Sequence, residues 1–263
     1  MRYYFAPMEG LTDSIYRREH HRFFGGVDRY YMPFFSPTVH RTFTSRETRE
    51  LPKADSVPFC AVPQVLTNDP ENFLWAAQAC RDLGYAEINL NAGCPSGTVV
   101  AKRKGSGMLR DLDSLSDFFD RIFAKSPLPV SVKTRLGMEV PEEFEKVLAL
   151  YNRYPIRELI VHPRVRRQFY DGQVHSEWFA YAAQNSRNPL CYNGDIRSLA
   201  DIRALEEAYP QLPAVMIGRG LIADPGMLSG GTEIDTLEAF LNALMDDYTE
   251  EFSGCRNALF RMK

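Results

Sequence analysis

The sequence predicts an α/β fold, a (β/α)8 TIM barrel with a short C-terminal helical extension, on three observations. Short apolar or β-branched runs alternate with longer helix-patterned segments, the rhythm of repeated βα units around a parallel sheet. Eight such runs can be counted. The 263 residues and 44% hydrophobic content suit one barrel, which uses about 250 residues as a single domain. Strands are expected at 3–6, 29–32, 59–64, 87–91, 130–133, 158–162, 190–193 and 214–217, and amphipathic helices at 69–83, 112–124, 141–151 and 198–209. Asn68-Asp69-Pro70 supplies a cap and a first-turn proline for the first of these helices, and Gly84 ends it. On this reading residues 1–230 form the barrel. Residues 231–263 form a partial helical segment, in which Phe240, Leu241, Leu244 and Met245 make an apolar stripe.

A formal net charge of −3 argues against a polybasic nucleic-acid binder, so attraction for phosphate must come from local clusters. Five cysteines (Cys60, Cys80, Cys94, Cys191 and Cys255) without CxxC or metal-ligand spacing point to reduced thiols and a cytoplasmic setting. With five histidines and no HExxH or paired-ligand spacing, no metal is expected. The N-terminus has no long apolar stretch and no run approaches the ~20 residues of a membrane span, so the expectation is a soluble, unprocessed protein without membrane contact, and a monomer.

A barrel gathers its active site at the C-terminal ends of its strands. Those ends carry Pro7-Met8-Glu9, Gln64, Asn91 with Cys94, Lys133 with Arg135, His162 with Arg164, Asn193-Gly194-Asp195 and Gly218-Arg219-Gly220. A packed barrel end needs only apolar residues and ordinary turns, so this convergence reads as functional. In 87–95 a thiol sits on a tight turn beside an amide and is followed by the loop Lys102-Arg103-Lys104-Gly105-Ser106-Gly107, an arrangement better suited to proton donation than to core filling. Either glycine turn after the last two strands is by itself equally a tight βα connection. Together, with the Arg219 guanidinium, they point to a phosphate grip. Lys133 is either a snorkelling lysine or a cation set against the N1/O2 edge of a flavin. Gln64 is either a strand-end cap or a hydrogen-bonding partner for a heteroaromatic edge. His162 is either a satisfied imidazole or a ligand contact, and its rim position favours the latter. No GxGxxG follows a strand, so any nicotinamide donor visits rather than resides.

Basic residues cluster in three segments: Arg17, Arg18 and Arg22 with His20 and His21; Lys102, Arg103 and Lys104; and Arg164, Arg166 and Arg167. Each alone is ordinary solvated charge; three on one face would make a positive funnel. Phe34 and Phe35, and Phe169 and Tyr170, are either packing or stacking surfaces for an extruded base.

Five segments resemble the tRNA-dihydrouridine synthase family: Ala6-Pro7-Met8-Glu9-Gly10-Leu11-Thr12-Asp13, Asn89-Leu90-Asn91-Ala92-Gly93-Cys94-Pro95, Val132-Lys133-Thr134-Arg135-Leu136-Gly137, Asn193-Gly194-Asp195-Ile196 and Gly218-Arg219-Gly220. They span the barrel in the family's order. The resemblance implies an FMN enzyme in which Pro7, Met8 and Glu9 line the flavin ring, Gln64, Lys133 and His162 touch its polar edge, and Asn193, Gly194, Asp195, Gly218 and Arg219 hold its phosphate. It implies Cys94 as proton donor, Asn91 and Arg164 at the uracil and its RNA, NADPH as diffusible reductant, and tRNA as partner; Arg166, from the third basic cluster, is expected to contact the RNA as well. Family members carry a longer helical domain after the barrel than residues 231–263 provide. Two other readings stay open on residues alone. One is a dihydroorotate dehydrogenase-like flavoprotein acting on a free pyrimidine, against which the basic loops speak. The other is a non-catalytic RNA-binding barrel, which has no need of Cys94, Lys133 and two phosphate turns together.

Overall fold

The computed structural model describes residues 1–262. Nine parallel strands form one sheet: β1 (Arg2–Phe5), β2 (Arg29–Tyr31), β3 (Ala61–Val62), β4 (Gln64–Val65), β5 (Ile88–Ala92), β6 (Val130–Arg135), β7 (Leu159–His162), β8 (Leu190–Tyr192) and β9 (Ala214–Ile217). They are ordered β3-β2-β1-β9-β8-β7-β6-β5-β4. The single strand expected at 59–64 is therefore two short ones. Pro63 separates them, because it has no N–H to give to a ladder. Its carbonyl still accepts from Asn89 at 2.9 Å, and the Gln64 carbonyl accepts from Phe35 at 3.0 Å. The two pieces thus act as one stave, and the barrel has eight.

Period-2 alternation sorts the strand residues into two cores. Ile88, Leu90, Val130, Val132, Leu159 and Val161 point outward to the helices. Tyr4, Ala6, Tyr31, Val62, Ile160, Cys191, Ala214 and Met216 fill the interior. At the N-terminal end the buried Glu158 accepts from the phenols of Tyr4 (3.0 Å) and Tyr31 (3.3 Å) and pairs with Arg2 (3.1 Å). That end is plugged, which leaves the C-terminal mouth for a ligand.

The helix expected at 69–83 is Pro70–Asp82, with the Asp69 carboxylate accepting from the Glu71 amide at 2.9 Å. The segment at 141–151 opens as a 3-10 turn, Pro141–Glu143, before the α-helix Phe144–Tyr151. The C-terminal helices Ile234–Glu251 and Cys255–Met262 pack on the outer face of the helix Ser14–Phe23, where Phe240, Leu244, Tyr248 and Ala258 join Ile15 and Phe24 in a small separate cluster. Of the expected stripe, Leu241 instead faces solvent. All five cysteines are free. Among the described residues no helix is long and apolar enough to cross a membrane, and no cluster of carboxylates, thiols and imidazoles could hold a metal ion.

Candidate active site

A cavity of about 400 Å³ opens at the C-terminal mouth, and Pro7, Met8, Glu9, Gln64, Asn91, Cys94, Lys133, His162, Asn193, Gly194, Asp195, Gly218 and Arg219 all line it. The parallel strands bring these distant positions together because each leaves its stave at the same end of the barrel.

Cys94 sits two residues beyond the end of β5. The side-chain oxygen of Asn91 accepts from the amides of Gly93 (3.1 Å) and Cys94 (2.9 Å), so the turn is held from below. From above, Ser106 donates its amide (3.1 Å) and hydroxyl (2.8 Å) to the Cys94 carbonyl. Gly105, at φ +57, lies so close that a Cβ there would stand 2.9 Å from that of Cys94. The glycine-rich loop is thus a clamp on the thiol's backbone. Burial raises the thiol above its ordinary value, against the Ser96 amide and the charges of Arg135 and Lys133. At neutral pH the group keeps its proton.

Lys133 and His162 project from β6 and β7. Burial and the Arg135 guanidinium bring the Lys133 ammonium down to about 8, with Cys191 and Cys94 opposing. His162 is buried and pushed well below the ordinary imidazole value by that burial and by the cations of Arg135, Lys133, Arg164 and Arg219. Its ring is neutral. Arg164 Nη1 lies 3.1 Å from its Nε2; a guanidinium only donates, so Nε2 accepts and the ring proton is on Nδ1.

The turn after β8 presents the amides of Gly194, Asp195 and Ile196, none of which has an acceptor among the described residues. The turn after β9 leads into the short helix Arg219–Ala223, whose first amides have no partner within the helix. A Cβ at Gly220 would collide with the Ile196 carbonyl, so that glycine lets the two turns touch. Asp195, at φ +46, accepts from Arg164 at 3.1 and 2.5 Å and from Arg219 at 2.8 Å. Burial opposes ionisation of its carboxyl, but the Arg164 hydrogen bonds and the charges of Arg164, Arg219 and Arg197 outweigh it and hold the group below the ordinary value.

Two expectations for the RNA-facing residues change. Arg164 is 1% exposed and committed to His162, Asp195 and the Gly172 carbonyl (2.6 Å), so it shapes the site from within. Arg166 is half-buried, with its guanidinium 5.1 Å from the Phe169 ring, and does not line the cavity. The first basic cluster is no part of a funnel either. Arg17 is buried and pairs with Glu50, Arg18 pairs with Glu19 and Asp247, and Arg22 pairs with Glu19. His20 is buried between the Tyr30 hydroxyl and the Pro225 carbonyl. Lys102, Arg103, Lys104, Arg166 and Arg167 form no ion pair among the described residues. Of the aromatics, Phe34 and Tyr170 line the cavity, Phe35 is core and Phe169 is exposed.

Among the features that sequence reasoning missed are Arg197 and Pro33, which also line the cavity, and the role of Arg135. That arginine is buried, donates to the carbonyls of Gly93 (3.0 Å) and Val165 (3.1 Å), and stacks 5.3 Å from Tyr170. Arg197 was within reach of a reading that followed the Asn193 turn a few residues further.

The dihydrouridine synthase (Dus) family model matches residues 4–255. The chain belongs to the dihydrouridine synthase family. Among relatives of this synthase-family chain, a probable tRNA-dihydrouridine synthase of Rickettsia bellii is 30% identical over 226 residues, covering 85% of this chain and 68% of that protein. The tRNA-dihydrouridine(16) synthase of Aquipseudomonas alcaligenes is 30% identical over 236 residues, covering 84% and 72%. In fold the chain resembles morphinone reductase in complex with tetrahydroNAD (TM-score 0.59, 10% identity, 87% and 85% covered). It also resembles histamine dehydrogenase from Rhizobium sp. 4-9 (TM-score 0.61, 13% identity, 87% and 45% covered).

Proposed function

We propose that this protein reduces the C5–C6 double bond of uridines in tRNA, with FMN as resident cofactor and NADPH as diffusible reductant, and that Cys94 donates the proton to C5. The observation that carries the reading is a protonated thiol in the same cavity as a cation, a neutral imidazole and two glycine turns, one of which presents unpaired backbone amides. The residues present fit FMN. Ala6, Met8 and Met216 give an apolar wall, Gln64, Lys133 and His162 a polar edge, and the free amides of 194–196 with Arg197 and Arg219 a seat for a phosphate. When bound, the flavin supplies the hydride for C6.

The chain's own residues do the rest. Lys133 is a buried cation on the interior face of the barrel and would stabilise negative charge on a ring edge held beside it. His162 presents Nδ1–H as a neutral donor, because Arg164 occupies Nε2. The Cys94 thiol protonates carbon as charge develops there, which avoids an unstabilised enolate; such acid catalysis contributes typically about 10²–10⁴-fold. The unpaired cations of 102–104 and 166–167 lie in loops after β5 and β7, where they suit the flanking backbone of an extruded base. The names of the relatives support tRNA as the substrate class. The test is direct: purified protein releases FMN on denaturation, and Cys94→Ala keeps FMN and its reduction by NADPH while dihydrouridine formation in tRNA falls by about 10²-fold or more. Unchanged product yield removes the thiol from the mechanism.

A further inference from the structure

Beneath the cavity, four side chains are joined in one line. Asn91 Nδ2 donates to Gln64 Oε1 at 2.9 Å, Gln64 Nε2 to Asn89 Oδ1 at 2.7 Å, and Asn89 Nδ2 to Ser131 Oγ at 2.9 Å. Gln64, Asn89 and Ser131 are fully buried, and Asn91 is 8% exposed. The strand register places Gln64 opposite Asn89 and Asn89 opposite Ser131, so the line crosses three staves on the interior face.

Its polarity is fixed from one end. The amides of Gly93 and Cys94 can only donate, so the Asn91 group they meet must be its oxygen. That turns Nδ2 toward Gln64, whose oxygen must face it, and each later amide is set in turn. Reversing any member sets N–H against N–H in a buried place, where an unmade hydrogen bond is costly. The chain ends on a hydroxyl, which accepts or donates as needed.

We infer that Asn89, backed by Ser131, is a positioning residue that orients Gln64 and holds the Cys94 turn in place through Asn91, without touching the cavity itself. Position 89 must offer an acceptor to Gln64, and this makes an unusual substitution pattern. An aspartic acid at 89 keeps that acceptor. Protonated, it also donates to Ser131 as the amide does; ionised, it takes the Ser131 hydroxyl proton as a hydrogen bond instead. A leucine of similar size offers nothing.

The experiment uses the full chain, free of cofactor, so it does not depend on the proposed reaction. Alkylation of Cys94 by iodoacetamide is followed by peptide mass spectrometry across pH, with the exposed Cys60 in the same sample as internal reference. Asn89→Leu is expected to raise the Cys94 to Cys60 rate ratio by roughly fivefold, as the turn loosens and the thiol gains water, while Asn89→Asp stays within about twofold of wild type. Phe73→Leu in the outer core lowers thermal stability and leaves the ratio alone, which separates positioning from general destabilisation. An unchanged ratio in Asn89→Leu, or an equal rise in Asn89→Asp, overturns the inference. Should Asn89→Leu not fold, Ser131→Ala decides: a rise of roughly twofold supports the chain and no rise refutes it.

Discussion

Cys94 combines two properties that usually oppose each other: cationic neighbours, which favour a thiolate, and burial, which favours the thiol. Burial prevails, and a proton donor needs that outcome. Lys133 shows the reverse case, a cation disfavoured where it stands. Folded, it loses its proton near 8, against an ordinary 10.5. Between those values the unfolded chain holds more protons than the folded one, so this residue makes stability rise with pH across the window. Lys133→Met is expected to flatten that rise, measured as the difference between wild-type and variant denaturant midpoints at the two ends of the window. It should also weaken FMN binding, and an unaltered flavin affinity and potential count against its place at the ring edge. Pro7, Met8 and Cys94 are legible in the sequence because each follows a strand whose end can be counted, and Lys133 because it stands in the last half of one. The direction of the Arg164 side chain is not, because it depends on Asp195, 31 positions away, and nothing local signals that a rim arginine turns inward.

Two βα turns touch through Gly220 and the Ile196 carbonyl, and the seat proposed for phosphate depends on their closeness. Gly220→Ala forces them apart, and overpacking of this kind costs about 1–3 kcal/mol. FMN affinity is expected to fall by roughly tenfold, equivalent to about 1.4 kcal/mol, with riboflavin affinity changing much less. Titration of both ligands checks it; parallel losses would relocate the phosphate. The strands and the longer helices can be read from periodicity, and so can Gly84 as a stop. Periodicity alone reads through the stave broken at Pro63, although the proline itself marks the missing ladder amide in the sequence. The 3-10 segment Gly105–Arg110 is hidden. Its conformation follows from backing onto Cys94, a neighbour supplied by the fold and not by adjacent residues.

Across the whole molecule, net charge conceals where charge is usable. Lys102, Arg103 and Lys104 form no ion pair among the described residues, Asp111 and Asp69 acting on Arg103 and Lys104 only from a longer distance, whereas Arg18 and Arg22 are paired directly. Replacing the first three by alanine is expected to weaken tRNA binding and to flatten its log–log salt slope by roughly 0.7–0.9 for each phosphate no longer neutralised. Replacing Arg18 and Arg22 should leave the slope unaltered, and equal effects from both sets would mean that binding follows bulk charge. Runs of basic residues are visible in the sequence, but their partners are not. The acids that neutralise Arg18 come from its own helix and from Asp247, 229 positions later. The C-terminal helix therefore serves as a built-in counter-ion and lid for the helix Ser14–Phe23. A version of the chain cut before residue 234 would bare Ile15 and Phe24 and unbalance the arginines beside them, giving a greasy, cationic patch adhesive to any polyanion, so that retention of RNA by such a fragment would say nothing about selective recognition.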